Sequence, residues 1–117
     1  MNPHLSVVTP VHNGAAYIEQ NIRQIVAALD SVGRSFEVIV VCDGCSDSTA
    51  DEARRVSDSR ISVLSYGPNQ GKGNAIIFGV NRARGRLIAW LDSDLDITPA
   101  TLVHAVERFD ESEIDAV

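Results

Sequence analysis

Short apolar runs alternate with stretches of helical periodicity along the whole chain. Leu5 to Val11 is apolar and β-branched, broken by Pro10 and followed by the turn signal Asn13-Gly14, which predicts a strand. Ile18, Ile22, Ile25, Val26, Leu29 and Val32 then recur at helical spacing, and Gly33 stops that helix. Phe36 to Val41 is continuously apolar apart from Glu37, as in a strand buried on both faces. Ser46-Asp47-Ser48-Thr49 supplies cap candidates for a charged helix to about Ser57, and Ile61 to Ser65 is a short strand. Gly71 to Arg84 reads as a loop leading into a helix bearing Ala75, Ile76, Phe78, Gly79 and Val80. Arg86 to Leu91 is the next strand. Thr98 and Pro99 begin a helix through Phe109, and Ile114 to Val117 reads as the start of another strand.

Strands that alternate with helices predict an α/β fold, a parallel sheet covered on both faces. In such sheets ligands bind at the carboxyl ends of the strands, near the point where strand order reverses. Three turns should therefore converge: Thr9-Pro10-Val11-His12-Asn13, Cys42-Asp43-Gly44 and Asp92-Ser93-Asp94.

Composition narrows the reading. At 117 residues and 44% hydrophobic content, the chain suffices for one domain with a core and is too short for two. Sixteen acids against ten bases argue against a binder of nucleic-acid backbones. From Asp92 onward there are eight acids and one base, Arg108, so the remainder is close to neutral. No apolar run approaches the ~20 residues that span a bilayer, and Met1-Asn2-Pro3-His4 does not open a signal peptide, which together predict a cytoplasmic chain. Cys42 and Cys45 form a Cys-x-x-Cys, but no second pair completes a zinc site and Asp43-Gly44 is a turn, so two reduced thiols are expected.

The segment Leu91-Asp92-Ser93-Asp94-Leu95-Asp96 sets three carboxylates at alternate positions just after an apolar run. Side chains of that spacing leave a strand on the same side and can converge on a hard divalent cation, Mg²⁺ or Mn²⁺, whose remaining ligands are commonly substrate phosphates. A solvated acidic turn is the plain alternative. Asn69-Gln70-Gly71-Lys72-Gly73-Asn74 fails both the Walker and the dinucleotide patterns, yet Lys72 in a glycine turn before a helix can neutralise a diphosphate. Asp43, at the end of the second strand, is placed to accept hydrogen bonds from a base or ribose, or else simply forms the turn. Of the three histidines only His12 lies at a strand end, where it can stack on a base.

Taken in order, Val7-Val8-Thr9-Pro10-Val11-His12-Asn13, Val41-Cys42-Asp43-Gly44-Cys45-Ser46-Asp47-Ser48-Thr49, Asn69-Gln70-Gly71-Lys72-Gly73 and Leu91-Asp92-Ser93-Asp94 resemble a family 2 glycosyltransferase over nearly the whole chain. The glycine-lysine-glycine turn and the acidic segment with Pro99 after it most resemble the polyprenyl-phosphate (dolichyl-phosphate type) sugar synthases. The resemblance implies a Rossmann-like, mostly parallel sheet with helices on both faces, of the nucleotide-diphospho-sugar transferase type. Residues 1–117 would form its single nucleotide-sugar-binding domain. It implies a UDP- or GDP-linked sugar donor and transfer with inversion to a polyprenyl-phosphate or saccharide acceptor. It assigns Pro10, His12, Asn13, Asp43, Lys72, Asp92 and Ser93 to the donor, and Asp94, Asp92 and Asp96 to the metal. Family members continue for roughly another domain's length, where the acceptor site and general base lie, so the chain reads as part of a catalytic unit. A lipid-phosphate acceptor would place it at the cytoplasmic face of a membrane, and an exposed sheet edge could pair two copies. The competing readings are a nucleotidyltransferase, which should carry a basic glycine-rich loop after the first strand, and a non-catalytic nucleotide-sugar-binding module. Against the module, three unpaired carboxylates repel one another and need a reason to stay together.

Overall fold

Each run that reads as buried on both faces becomes a strand of one sheet. The computed structural model describes residues 2–93 and 99–112. Within them lie β1 (Leu5–Val11), α1 (Ile18–Asp30), β2 (Phe36–Asp43), α2 (Thr49–Arg54), β3 (Ile61–Tyr66), α3 (Lys72–Val80), β4 (Leu87–Trp90) and α4 (Pro99–Ser112). The strands are ordered β3-β2-β1-β4 and every neighbouring pair is parallel. Leu5 stands beside Phe36 on one side and Leu87 on the other, so β1 is the central register from which the rest is set.

The period of two along the strands divides the core. Leu5, Val7 and Val11 of β1 and Phe36, Val38, Val40 and Cys42 of β2 share one face with Ile18, Ile22, Ile25 and Leu29 of α1 and Ala53 of α2. These α1 residues fall at intervals of three and four, which keeps one helical stripe against the sheet. Val8, Ile39 and Val41 point to the other face and pack on Ala75 of α3. Helices therefore cover both faces, as expected. A right-handed crossover places its helix on a face set by the direction of travel. The chain moves outward from β1 to β2 and β3 with α1 and α2 on one face, then returns past β1 to β4 with α3 on the other.

Element ends differ from expectation for local reasons. β2 runs two residues further, to Asp43, because Asp43 pairs in register with Tyr66. α1 stops at Asp30 rather than Val32, and α2 at Arg54 rather than Ser57. In both, the next backbone N–H groups reach back only three residues, Ser31 to Ala28 and Val32 to Leu29, Arg55 to Glu52 and Val56 to Ala53. That tightening turns Val56 into the core. At the start of α2, Ser48 makes no capping bond through its side chain. Asp47 accepts the Thr49 N–H instead, at 3.0 Å. α4 continues to Ser112 and lies against α1. The expected Thr98 cap and the strand at Ile114 to Val117 lie outside the described residues.

On the α3 side, Glu37 is buried at the amino end of the sheet. Its carboxylate accepts the Ser6 hydroxyl at 2.6 Å and the Arg84 N–H at 2.7 Å, fastening the α3–β4 connection to the sheet. α3 itself approaches closely because Gly79 has no side chain. A Cβ there would stand 2.5 Å from Val8 Cγ1 and 3.1 Å from Val41 Cγ2, both fully buried. Gly79→Ala should consequently lower stability by about 1–2 kcal/mol, overpacking outweighing the helix propensity of alanine. A urea midpoint equal to or above that of the parent would show that α3 is not seated this closely.

Candidate functional site

The strand order reverses between β1 and β4, and a cavity of about 360 Å³ opens at the carboxyl ends of the strands there. It is lined by Pro10, Val11 and His12 from the end of β1, Asp43 from β2, Asn69, Gly71 and Lys72 from the β3–α3 loop, and Asp92 and Ser93 beyond β4. Residues from all three turns expected to converge meet here, Asp94 of the third lying outside the described residues. Among the assigned residues, Pro10, His12, Asp43, Lys72, Asp92 and Ser93 share this one cavity.

Asp43 organises it. The residue is 3% exposed, and each carboxylate oxygen accepts two hydrogen bonds. Oδ1 takes the Tyr66 hydroxyl at 2.7 Å and the Gln70 N–H at 2.8 Å; Oδ2 takes the Asn69 amide and the Gly71 N–H, both at 3.0 Å. A carboxylate has about four lone-pair positions, so Tyr66 at the end of β3 and the β3–α3 loop together satisfy all of them. The negative charge also lies at the amino end of α3, where the helix dipole favours it. Burial pushes the Asp43 carboxyl up, but the backbone N–H of Gln70, the Tyr66 hydroxyl and the Gly71 N–H together hold it below the ordinary aspartate value. The carboxylate therefore holds the loop, while the backbone carbonyl of Asp43 accepts from the Asn69 amide at 3.1 Å and from His12.

His12 Nδ1 lies 2.8 Å from that carbonyl. A carbonyl only accepts, so Nδ1 carries the proton in this contact and Nε2 faces away from the Asp43 carbonyl. Asn13 is not among the cavity's lining residues. Its backbone is left-handed, at φ 54°, and its side-chain oxygen accepts the Ser46 N–H at 2.8 Å. Next to it, Thr49 Oγ1 accepts the Gly14 N–H at 2.9 Å, and Asp47 accepts the Ala15 N–H at 3.2 Å and the Thr49 hydroxyl. These bonds clasp the β1–α1 turn to the β2–α2 turn. Gly44 completes the packing: its φ is 61° and a Cβ would meet the Asn69 backbone at 2.2 Å.

At the opposite wall, Lys72 Nζ is 3.0 Å and 3.4 Å from the two oxygens of Asp92, and 5.0 Å from the centre of the Trp90 ring. The next residue, Ser93, is held from α1: the Asn21 side-chain amide donates to its carbonyl at 2.8 Å, and the Tyr17 hydroxyl is 3.5 Å from its Oγ. Asp94 and Asp96 lie outside the described residues, so of the expected metal set only Asp92 is located. Among the described residues no cluster of three acidic, histidine or cysteine side chains is assembled for a metal. The Cys-x-x-Cys has no part in the cavity. Both thiols are free, and burial together with neighbouring Cys45 pushes the Cys42 thiol up to about 12, so it does not ionise near neutrality.

Four residues that hold the site have no role in the sequence reading: Tyr17, Asn21, Tyr66 and Asn69. Tyr66 had a signal, since it sits two residues after Leu64 on the α3 face. Tyr17 and Asn21 are one helical turn apart, which marks a shared face but not what that face meets.

The sequence pattern of Glycosyl transferase family 2 matches residues 6–117. The undecaprenyl-phosphate 4-deoxy-4-formamido-L-arabinose transferase of Edwardsiella ictaluri is 34% identical over 110 residues, 92% of this chain and 34% of its own length. The chain thus spans about a third of the curated relatives it matches. Among solved structures, S. aureus TarS in complex with UDP superposes with a TM-score of 0.74 at 26% identity, over 97% of this chain and 33% of that one. Glucosyl-3-phosphoglycerate synthase from Mycobacterium tuberculosis, in complex with Mn²⁺, UDP and glucosyl-3-phosphoglycerate, does so at 0.62 with 28% identity, over 78% and 33%.

Replacing Asp43 by Asn puts an NH₂ where two donors now converge, leaving at least one buried donor unpaired. Asp43→Asn should lower stability by about 1–3 kcal/mol and speed amide exchange at Gln70 and Gly71. Because the folded-state carboxyl titrates below its unfolded value of about 3.9, its contribution is full above that pH and is lost as pH falls through the depressed value. The parent should lose this increment in acid and the variant should not. Parallel stability–pH curves below pH 4 would contradict the assignment.

Proposed function

Because the chain belongs to glycosyl transferase family 2, we propose that residues 1–117 form the nucleotide-sugar-binding unit of a metal-dependent glycosyltransferase that uses a UDP- or GDP-linked donor. One observation carries this reading. The cavity at the strand reversal joins an apolar and imidazole wall, Pro10, Val11 and His12, to a charged mouth formed by Lys72 and Asp92. A nucleoside diphosphate has the same division, a flat base at one end and concentrated negative charge at the other.

Pro10 and His12 pack against the base, with Asp43 fixing the floor beneath it. Lys72 meets the diphosphate, and Ser93 lies where the donor passes toward the acidic segment. Asp92 offers anionic oxygens at the cavity mouth, the donor chemistry a hard cation prefers, and with Asp94 and Asp96 it would hold Mg²⁺ or Mn²⁺. Such a cation, when bound, neutralises charge building on the departing diphosphate. The Mn²⁺ and UDP of the glucosyl-3-phosphoglycerate synthase complex support this assignment. The reaction is inverting: an acceptor oxygen attacks the anomeric carbon from the face opposite the diphosphate, and the C–O bond to the diphosphate breaks. The relative named for undecaprenyl phosphate points to a polyprenyl phosphate as the acceptor, which would bring the protein to the cytoplasmic face of a membrane. No described helix is itself long and apolar enough to cross one.

Calorimetric titration with UDP and with GDP, each with and without Mn²⁺, tests the reading. One nucleotide should bind in a metal-dependent manner, and Asp94→Ala should weaken it at least tenfold. Binding of neither nucleotide under any condition would remove the proposal.

A further inference from the structure

Lys72 and Asp92 are assigned to opposite partners in the bound complex, one to the diphosphate and the other to the cation, yet here they bind each other. The ammonium contacts both oxygens of Asp92, at 3.0 Å and 3.4 Å, across the mouth of the cavity that both line. No other cation is paired with Asp92 among the ion pairs of the described residues. A divalent cation needs those same oxygens, and it cannot share them with an ammonium 3.0 Å away without strong like-charge repulsion.

We propose that the Lys72–Asp92 pair is an internal counter-ion lock that makes metal and nucleotide binding mutually dependent. Without nucleotide, Lys72 occupies the carboxylate that the metal requires. A nucleoside diphosphate offers the ammonium a second anion, and the metal then takes the vacated oxygens. The Trp90 ring, whose centre is 5.0 Å from Nζ, also attracts the ammonium and keeps it at the cavity mouth once it leaves Asp92. Gly71, in a backbone conformation at φ 96° and with open space around its missing Cβ, precedes Lys72 and lets the start of α3 adjust. Since linkage is reciprocal, the factor by which nucleotide tightens the metal equals the factor by which the metal tightens nucleotide. The inference rests on the proposed donor site and adds to it an order of events: neither ligand alone releases the lock efficiently.

The test follows free Mn²⁺ by electron paramagnetic resonance during titration of the 117-residue chain, alone and with saturating UDP or GDP, for the parent, Lys72→Met and Lys72→Arg. Exposed ion pairs are worth little, so Lys72→Met should bind Mn²⁺ alone roughly twofold to fivefold more tightly than the parent. It should also lose most of the tightening that nucleotide produces, and Lys72→Arg should restore both values toward the parent. If Lys72→Met binds Mn²⁺ alone no more tightly while the parent still binds metal and nucleotide together, the lock is overturned and the donor site stands. Tighter Mn²⁺ binding with the nucleotide effect intact would also overturn the coupling. A parent chain that binds neither Mn²⁺ nor nucleotide would remove the lock together with the donor site.

Discussion

The site depends on one buried carboxylate. Asp43 is the last residue of a fully buried strand, and its four hydrogen bonds come from a single segment, Tyr66 to Gly71. An ionised group can stay buried only if its lone pairs are satisfied, and Tyr66 together with the loop that follows it supplies every donor. The dependence runs in both directions. Without Asp43 the Asn69-Gln70-Gly71 backbone has no counter-charge to fold around. Without the loop Asp43 would be a bare charge at the end of an apolar strand. Through this bond set Lys72 is brought to the mouth of the cavity, since it is the residue after Gly71 and the first of α3.

Topology supplies the second half of the site. The chain moves outward from β1 to β3 and then returns past β1 to β4, so α1 and α3 leave the carboxyl ends of their strands on opposite faces and the cavity opens between those ends. α1 serves both parts of this arrangement. Its buried stripe, Ile18, Ile22, Ile25 and Leu29, anchors it to the sheet. Tyr17 and Asn21 meanwhile reach Ser93 and hold the chain just beyond β4 beside the start of α1. A helix whose main contribution is core burial therefore also positions Ser93, the residue after Asp92, at the cavity. The clasp between Asn13-Gly14-Ala15 and Ser46-Asp47-Thr49 fixes the adjacent wall without entering the cavity.

Much of this was legible in the sequence, for identifiable reasons. The parallel sheet follows from apolar runs that do not alternate, and the location of the site follows from turns at the carboxyl ends of those runs. Lys72 and Asp92, separated by nineteen intervening residues, were both marked as charged groups at such turns. What the sequence did not disclose was pairing. Nothing in the local pattern says that Asp43 serves the β3–α3 loop, or that Asn13 faces Ser46 rather than the cavity. Those contacts join residues more than twenty positions apart through the register of neighbouring strands. Tyr17 and Asn21 escaped notice for a related reason: as polar residues at the start of an amphipathic helix they look like solvent-facing positions until α1 is placed beside the end of β4.

The alternation of side chains along β2 also explains why Cys42 and Asp43, adjacent in sequence, serve different parts of the molecule. Adjacent strand residues point to opposite faces. Asp43 turns toward α3 and the cavity, whereas Cys42 turns toward α1 and is 1% exposed among Val11, Val40 and Leu91. A carboxylate in place of Cys42 would stand in this chain's main apolar core rather than beside Asp43, and the strong upward push on the Cys42 thiol shows how poorly that position tolerates charge. A second acid there could not share a ligand with Asp43 without breaking the strand. The cavity is thus built for one carboxylate from β2. In the proposed donor site, the charge that would meet a diphosphate or a cation comes instead from Lys72 and from Asp92 beyond β4.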